Sequence, residues 1–128
     1  DESDGTRRLM SLAPDMERIL SCGGILLVDE LEKEMHPMLV EYIVAKFQSP
    51  VSNPNHAQLI FTTHNTELLN MELLRKDQLY FADKNRTDGT SSLYSIGELA
   101  TPTSENVRKG YLMGKYGATP DLEIEEVE

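Results

Sequence analysis

The chain holds a single cysteine, Cys22, so no internal disulfide can form. A lone thiol fits a reducing compartment, and the expected location is cytoplasmic. No apolar run approaches the roughly 20 residues of a membrane helix, so no membrane partner is expected. The opening residues Asp1-Glu2-Ser3-Asp4-Gly5 are nothing like a signal peptide. Bases are scarce: 12 Lys and Arg stand against 22 Asp and Glu, for a net charge of −10. An acidic surface argues against nucleic-acid binding through the phosphate backbone. Five of the acids, Asp121, Glu123, Glu125, Glu126 and Glu128, lie in the last eight residues, and without them the charge is −5. Residues 121–128 therefore read as a solvated, disordered acidic tail. The chain also lacks any G-x-x-x-x-G-K-S/T stretch, the loop that cradles nucleotide phosphates.

What remains is enough for one domain with a real core. The 128 residues are 39% hydrophobic and 27% charged, as in globular proteins. Leu9, Leu12, Met16, Ile19 and Leu20 recur at helical spacing between Thr6 and Ser21. Ser3 or Asp4 can cap that helix, Pro14 predicts a kink or break in it, and Cys22-Gly23-Gly24 ends it. Ile25 to Asp29 reads as a short buried strand. His36-Pro37 opens a second helix, with Pro37 suited to the first helical position. Its apolar face is Met38, Leu39, Ile43, Val44 and Phe47. Gln58 to Thr63 is a second strand, and a short helix follows at Glu67 to Met71.

Gln78 to Ala82 and Ser92 to Ile96 form a hairpin around Asp88-Gly89. A last helix runs from Glu105 to about Tyr116, with Gly117 as its stop. This order predicts an α/β fold with a mainly parallel sheet, flanking helices and a C-terminal β-hairpin appended to its edge.

The most informative stretch is Ile25-Leu26-Leu27-Val28-Asp29-Glu30. A continuous apolar run is what a parallel strand covered on both faces looks like. Nothing about such a strand requires the two carboxylates that follow it. They fall where open α/β sheets bind ligands, at a carboxyl end. This is the pattern of a Walker B motif. The second strand also ends in polar residues, Thr62, Thr63, His64 and Asn65. If the two strands are parallel neighbours, both sets emerge at one edge. Phosphoryl chemistry uses such parts: a metal on phosphate oxygens, a carboxylate on water and a donor to the γ-phosphate.

Three landmarks now occur in order: Glu2-Ser3-Asp4-Gly5-Thr6, Ile25 through Pro37, and Phe61-Thr62-Thr63-His64-Asn65. They resemble the signature motif, the Walker B strand with its D-loop region, and the switch-histidine segment of ABC-class ATPase domains. Such domains occur in recombination and chromosome-maintenance ATPases. The chain is similar to bacterial AAA-family ATPases linked to abortive infection and other anti-phage systems, and Tyr111 through Pro120 resembles their C-terminal segment.

The resemblance implies a partial P-loop NTPase fold, with residues 1–120 as the C-terminal portion of an ABC-type ATPase domain lacking the Walker A half. It implies that Asp29 holds Mg²⁺ through water, that Glu30 positions and polarises the attacking water, and that His64 contacts the γ-phosphate. Ser3, Gly5 and Thr6 would meet the ATP of a second copy in a head-to-tail dimer. Asp4 departs from the Gly-Gly form of that motif common in transporters, and its charge opposes phosphate binding. ATP and Mg²⁺ are the implied cofactors of the full-length protein, and an effector such as a nuclease is an implied partner. The chain alone is expected to be inactive.

Other readings compete. Ser3 and Asp4 also suit a plain helix cap, and His64 a satisfied strand-end histidine. For His36, structural and functional readings weigh equally. His56 is expected in solvent. Tyr111, Leu112 and Tyr116 are expected to pack a helix onto the sheet. A non-catalytic regulatory module is the main alternative function. A metal-dependent hydrolase using Asp29, Glu30, His36 and His64 directly ranks below it, because the spacing lacks a standard ligand pattern.

Overall fold

The computed structural model describes residues 3–69, 72–98, 107–114 and 117, so the acidic tail lies outside the described residues. The chain divides into two compact units, Asp1–Asn65 and Thr66–Glu128.

The first unit runs helix–strand–helix–strand. Helix α1 spans Asp4–Cys22, and its cap is Ser3, whose Oγ accepts from the Thr6 N–H at 3.2 Å. The helix continues through Pro14 without the break that was one of the two expected outcomes. Gly23 closes it at φ 72°, where a Cβ would stand 2.4 Å from the Asn55 carbonyl oxygen. Only glycine meets both demands.

Strand β1, Ile25–Val28, pairs in parallel with β2, Gln58–Phe61, with Leu26 opposite Leu59 and Val28 opposite Phe61. Between them helix α2, Pro37–Gln48, makes the crossover. One sheet face turns inward. The other is bare, with Ile25, Leu27 and Ile60 more than half exposed. The expected burial of β1 on both faces therefore does not hold within this chain. The core is instead Met16 and Leu20 of α1, Val28 of β1, and Val40, Ile43 and Val44 of α2. Leu31 and Met35 seal it from the loop after β1. Met38, expected on the apolar face of α2, is 71% exposed, because the inward stripe runs through Val40 instead.

The loop after α2 contains a buried asparagine that its composition does not announce. Asn53 Nδ2 donates to the Phe47 and Ala57 carbonyls at 2.8 Å each, and its Oδ1 accepts from the Ala57 N–H at 2.8 Å. Both Asn53 amide hydrogens and its oxygen are thereby paired, as a buried side chain requires.

In the second unit, β3 (Tyr80–Lys84) and β4 (Ser91–Ser95) form the expected antiparallel hairpin. Gly89 takes φ 74° in its turn. Among the described residues the hairpin makes a two-stranded sheet of its own, where the sequence predicted a hairpin appended to the parallel sheet. Leu79, Phe81 and Ile96 are buried here. Helix α3 spans Val107–Leu112, and Tyr111 stacks on Phe81 with ring centroids 5.2 Å apart. The helix ends before Gly114, which takes φ 76°, so the stop comes earlier than Gly117. Leu112 is 55% exposed rather than packed, and Tyr116 lies outside the described residues. The fold is mixed α/β, with a small parallel sheet and helices.

Candidate functional site

Parallel pairing brings the exits of β1 and β2 together. Asp29 and Glu30 follow β1 directly, and Thr62 to Asn65 follow β2. Past the last ladder residues the two strand exits stay joined. The Thr62 N–H donates to the Val28 carbonyl and the Leu31 N–H to the Thr62 carbonyl, each at 3.1 Å.

Thr62 also binds through its side chain. Its Oγ1 donates to Asp29 Oδ1 at 2.5 Å and accepts from the Glu30 N–H at 2.8 Å. One hydroxyl thus sets the Asp29 carboxylate and the Glu30 backbone together. Glu30 takes φ 49°, a left-handed conformation that disfavours side chains other than glycine. It is held there by its amide on Thr62 and by Leu31 next to it, which is fully buried. Glu34 and His56 share this left-handed backbone, so the conformation by itself does not single out Glu30.

His64 comes within reach of this pair. Its Nε2 lies 3.5 Å from Glu30 Oε1, close enough for an ion pair when the ring is protonated. The imidazole is 85% exposed, so it faces solvent rather than a packed core. The His64 backbone N–H donates to Glu32 Oε1 at 2.8 Å. Burial alone would push the Glu32 pKa up, but the hydrogen bonds from the His64 amide, its own amide and the Thr63 side chain outweigh this and hold it below its ordinary 4.5.

The residues at the start of α1 serve visible structural roles. Ser3 Oγ and Thr6 Oγ1 share a hydrogen bond of 2.9 Å, and Ser3 also caps the helix. Gly5 lies against the loop after β1, where a Cβ would stand 2.9 Å from the Glu34 carbonyl oxygen. Arg8 reaches the same loop, with a guanidinium nitrogen 3.5 Å from the Asp29 carbonyl. His36 is the cap of α2, its Nδ1 accepting from the Met38 N–H at 3.1 Å. His56 is exposed, as expected.

Asp29, Glu30 and His64 are thus brought together at one edge. Thr62, Glu32 and Arg8 were missed by the sequence reading. A hydroxyl at a strand exit two residues before His64 was the available signal for Thr62. Glu32 was hidden because Glu30, Glu32 and Glu34 together look like a solvated acidic run.

A family model described as "AAA domain, putative AbiEii toxin, Type IV TA system" matches residues 1–70. The chain belongs to this AAA domain family. The matched span contains both strand exits and the start of α1, so every residue of the site lies inside the AAA match.

Two curated relatives are also similar to it. "Retron Vc95 probable ATPase" of Vibrio cholerae serotype O1 biovar El Tor is 36% identical over 70 residues, covering 51% of this chain and 14% of that protein. "Retron Ec83 probable ATPase" of Escherichia coli is 30% identical over 112 residues, covering 81% of this chain and 20% of that protein. The chain therefore spans a fifth or less of the length of these relatives. No solved structure matches the chain.

The donors at this edge can be matched against the needs of Mg²⁺. Mg²⁺ is held by one or two carboxylates together with waters and substrate phosphates, not by a full protein cage. Asp29 offers a hard carboxylate that is exposed to solvent and fixed at one oxygen by Thr62. This fits the ion. Among the described residues no group of three or more His, Cys, Asp or Glu forms a cage of the kind a structural metal uses. Among them also, no helix is long and apolar enough to cross a membrane.

Proposed function

We propose that this chain carries the hydrolytic side of an ATP site in a P-loop, ABC-type ATPase. The carrying observation is the single edge where Asp29, Glu30 and His64 stand together, with Thr62 holding the first two. Asp29 would hold Mg²⁺, which when bound neutralises charge on phosphate oxygens. Glu30 accepts a hydrogen bond from the attacking water and orients it for in-line displacement. His64, beside Glu30, donates to the γ-phosphate. Ser3, Gly5 and Thr6 would face the ATP held by a second copy in a head-to-tail dimer. The names of the two relatives support ATPase activity, and the resemblance of the sequence motifs to anti-phage ATPases carries the proposed role in defence. An effector such as a nuclease would read the opening and closing of that dimer.

The deciding experiment is Glu30→Gln in the whole protein that contains this chain. The amide keeps the side chain's shape but loses the charge that polarises water. Turnover is expected to fall by about 100-fold or more while ATP binding is retained. Unchanged turnover would overturn the reading. The 128-residue chain has no phosphate-cradling loop, so calorimetry with Mg-ATP is expected to show affinity weaker than micromolar.

A further inference from the structure

We propose that Glu32 is a positioning residue for His64, holding the backbone of the β2 exit so that the imidazole stands against Glu30. The proposal rests on the ATPase reading above for its catalytic meaning, and on geometry alone for the clamp.

Beyond Phe61 the β1–β2 ladder ends. The last backbone bond between the two exits is from the Leu31 N–H to the Thr62 carbonyl. Two residues later the His64 N–H has no strand partner. Glu32 supplies an acceptor from its side chain at 2.8 Å. The other oxygen, Oε2, is shielded from solvent, so the carboxylate is folded inward rather than waving in water. Leu31, fully buried beside it, anchors the turn that aims it.

The result is a closed loop. Glu30 meets the His64 ring at 3.5 Å, and Glu32, two residues on, grips the His64 backbone. Because the ring is 85% exposed, packing does little to position it. Its location then follows from the backbone that carries it. A hydrogen bond to a charged acceptor is stronger and more directional than one to a neutral group. Glutamine would keep an acceptor at the same reach, whereas alanine would remove it.

The test has two arms. In the 128-residue chain, amide exchange by NMR reads the clamp directly. Glu32→Ala is expected to speed exchange at the His64 amide by about tenfold or more, leaving the Thr62 amide protected. Glu32→Gln should restore most of the protection. Equal loss at both amides, or none at His64, would overturn the clamp. In the whole protein, Glu32→Ala should lower kcat by about tenfold or more with KM for ATP nearly unchanged, and Glu32→Gln should recover most of it. If the wild-type protein hydrolyses ATP and Glu32→Ala does so equally well, the positioning role falls while the ATPase reading stands. If the wild type hydrolyses nothing, the ATPase reading falls, and the His64 amide decides the clamp on its own.

Discussion

Thr62 Oγ1 sits between Asp29 Oδ1 at 2.5 Å and the Glu30 N–H at 2.8 Å, serving one as donor and the other as acceptor. A methyl group of similar shape can do neither. Thr62→Val is therefore expected to destabilise the chain by about 1 kcal/mol, the net worth of a typical hydrogen bond. In the whole protein it should also lower ATP turnover. Thr62→Ser should behave like the wild type in both respects. Urea denaturation of the two variants, with matched turnover assays, checks this.

Glu30 occupies left-handed backbone at φ 49°. Relieving that conformation is worth about 1–2 kcal/mol per residue. Glu30→Gly is expected to leave the chain as stable as before or more so, while abolishing turnover in the whole protein. The opposite pair of results, lost stability with activity intact, would remove Glu30 from the site. Chemical denaturation and an ATPase assay give the two halves of the answer.

Glu32 titrates below its ordinary value of 4.5 because the hydrogen bonds on its carboxylate outweigh its burial. A depressed carboxyl adds stability that is fully present above 4.5 and is lost as pH falls through the lowered value. Stability measured from pH 7 downward should thus hold until about pH 4.5 and then fall, apart from other groups. Glu32→Gln should flatten part of that acid limb. An identical limb in wild type and variant would show that the Glu32 bonds do not favour its charged form.

Leu27 and Leu31 are near neighbours with opposite burial, 72% and 0% exposed. Leu31→Ala empties a packed position and is expected to cost about 2–5 kcal/mol. Leu27→Ala in this chain should cost within about 0.5 kcal/mol, as surface changes usually do. Thermal or urea melts of the two variants settle the contrast. A large loss for Leu27→Ala would mean that the bare face of β1 is covered in solution.

Much of the architecture was legible because it depends on short-range chemistry. Ser3 as a cap, Gly23 as a stop, Pro37 at the start of α2 and Asp88-Gly89 in a hairpin each follow from local backbone preferences. The break at Pro14 did not occur, and the helix continues on both sides of that residue. The inward stripe of α2 was misjudged at Met38 and Val40, because two adjacent stripes of similar hydropathy compete and packing selects one.

Composition and order alone determined that an apolar run ends in Asp29 and Glu30 and that a second run ends in Thr62 through Asn65. They also determined that no phosphate-cradling loop lies in these residues. Only the tertiary structure decided that the two ends are neighbours, and which side chains lock them. Parallel pairing of β1 with β2 joins residues about thirty positions apart, a relation that local preference cannot encode. Thr62 and Glu32 gained their roles from that pairing: each hydrogen-bonds across the gap to a group its own strand leaves unsatisfied.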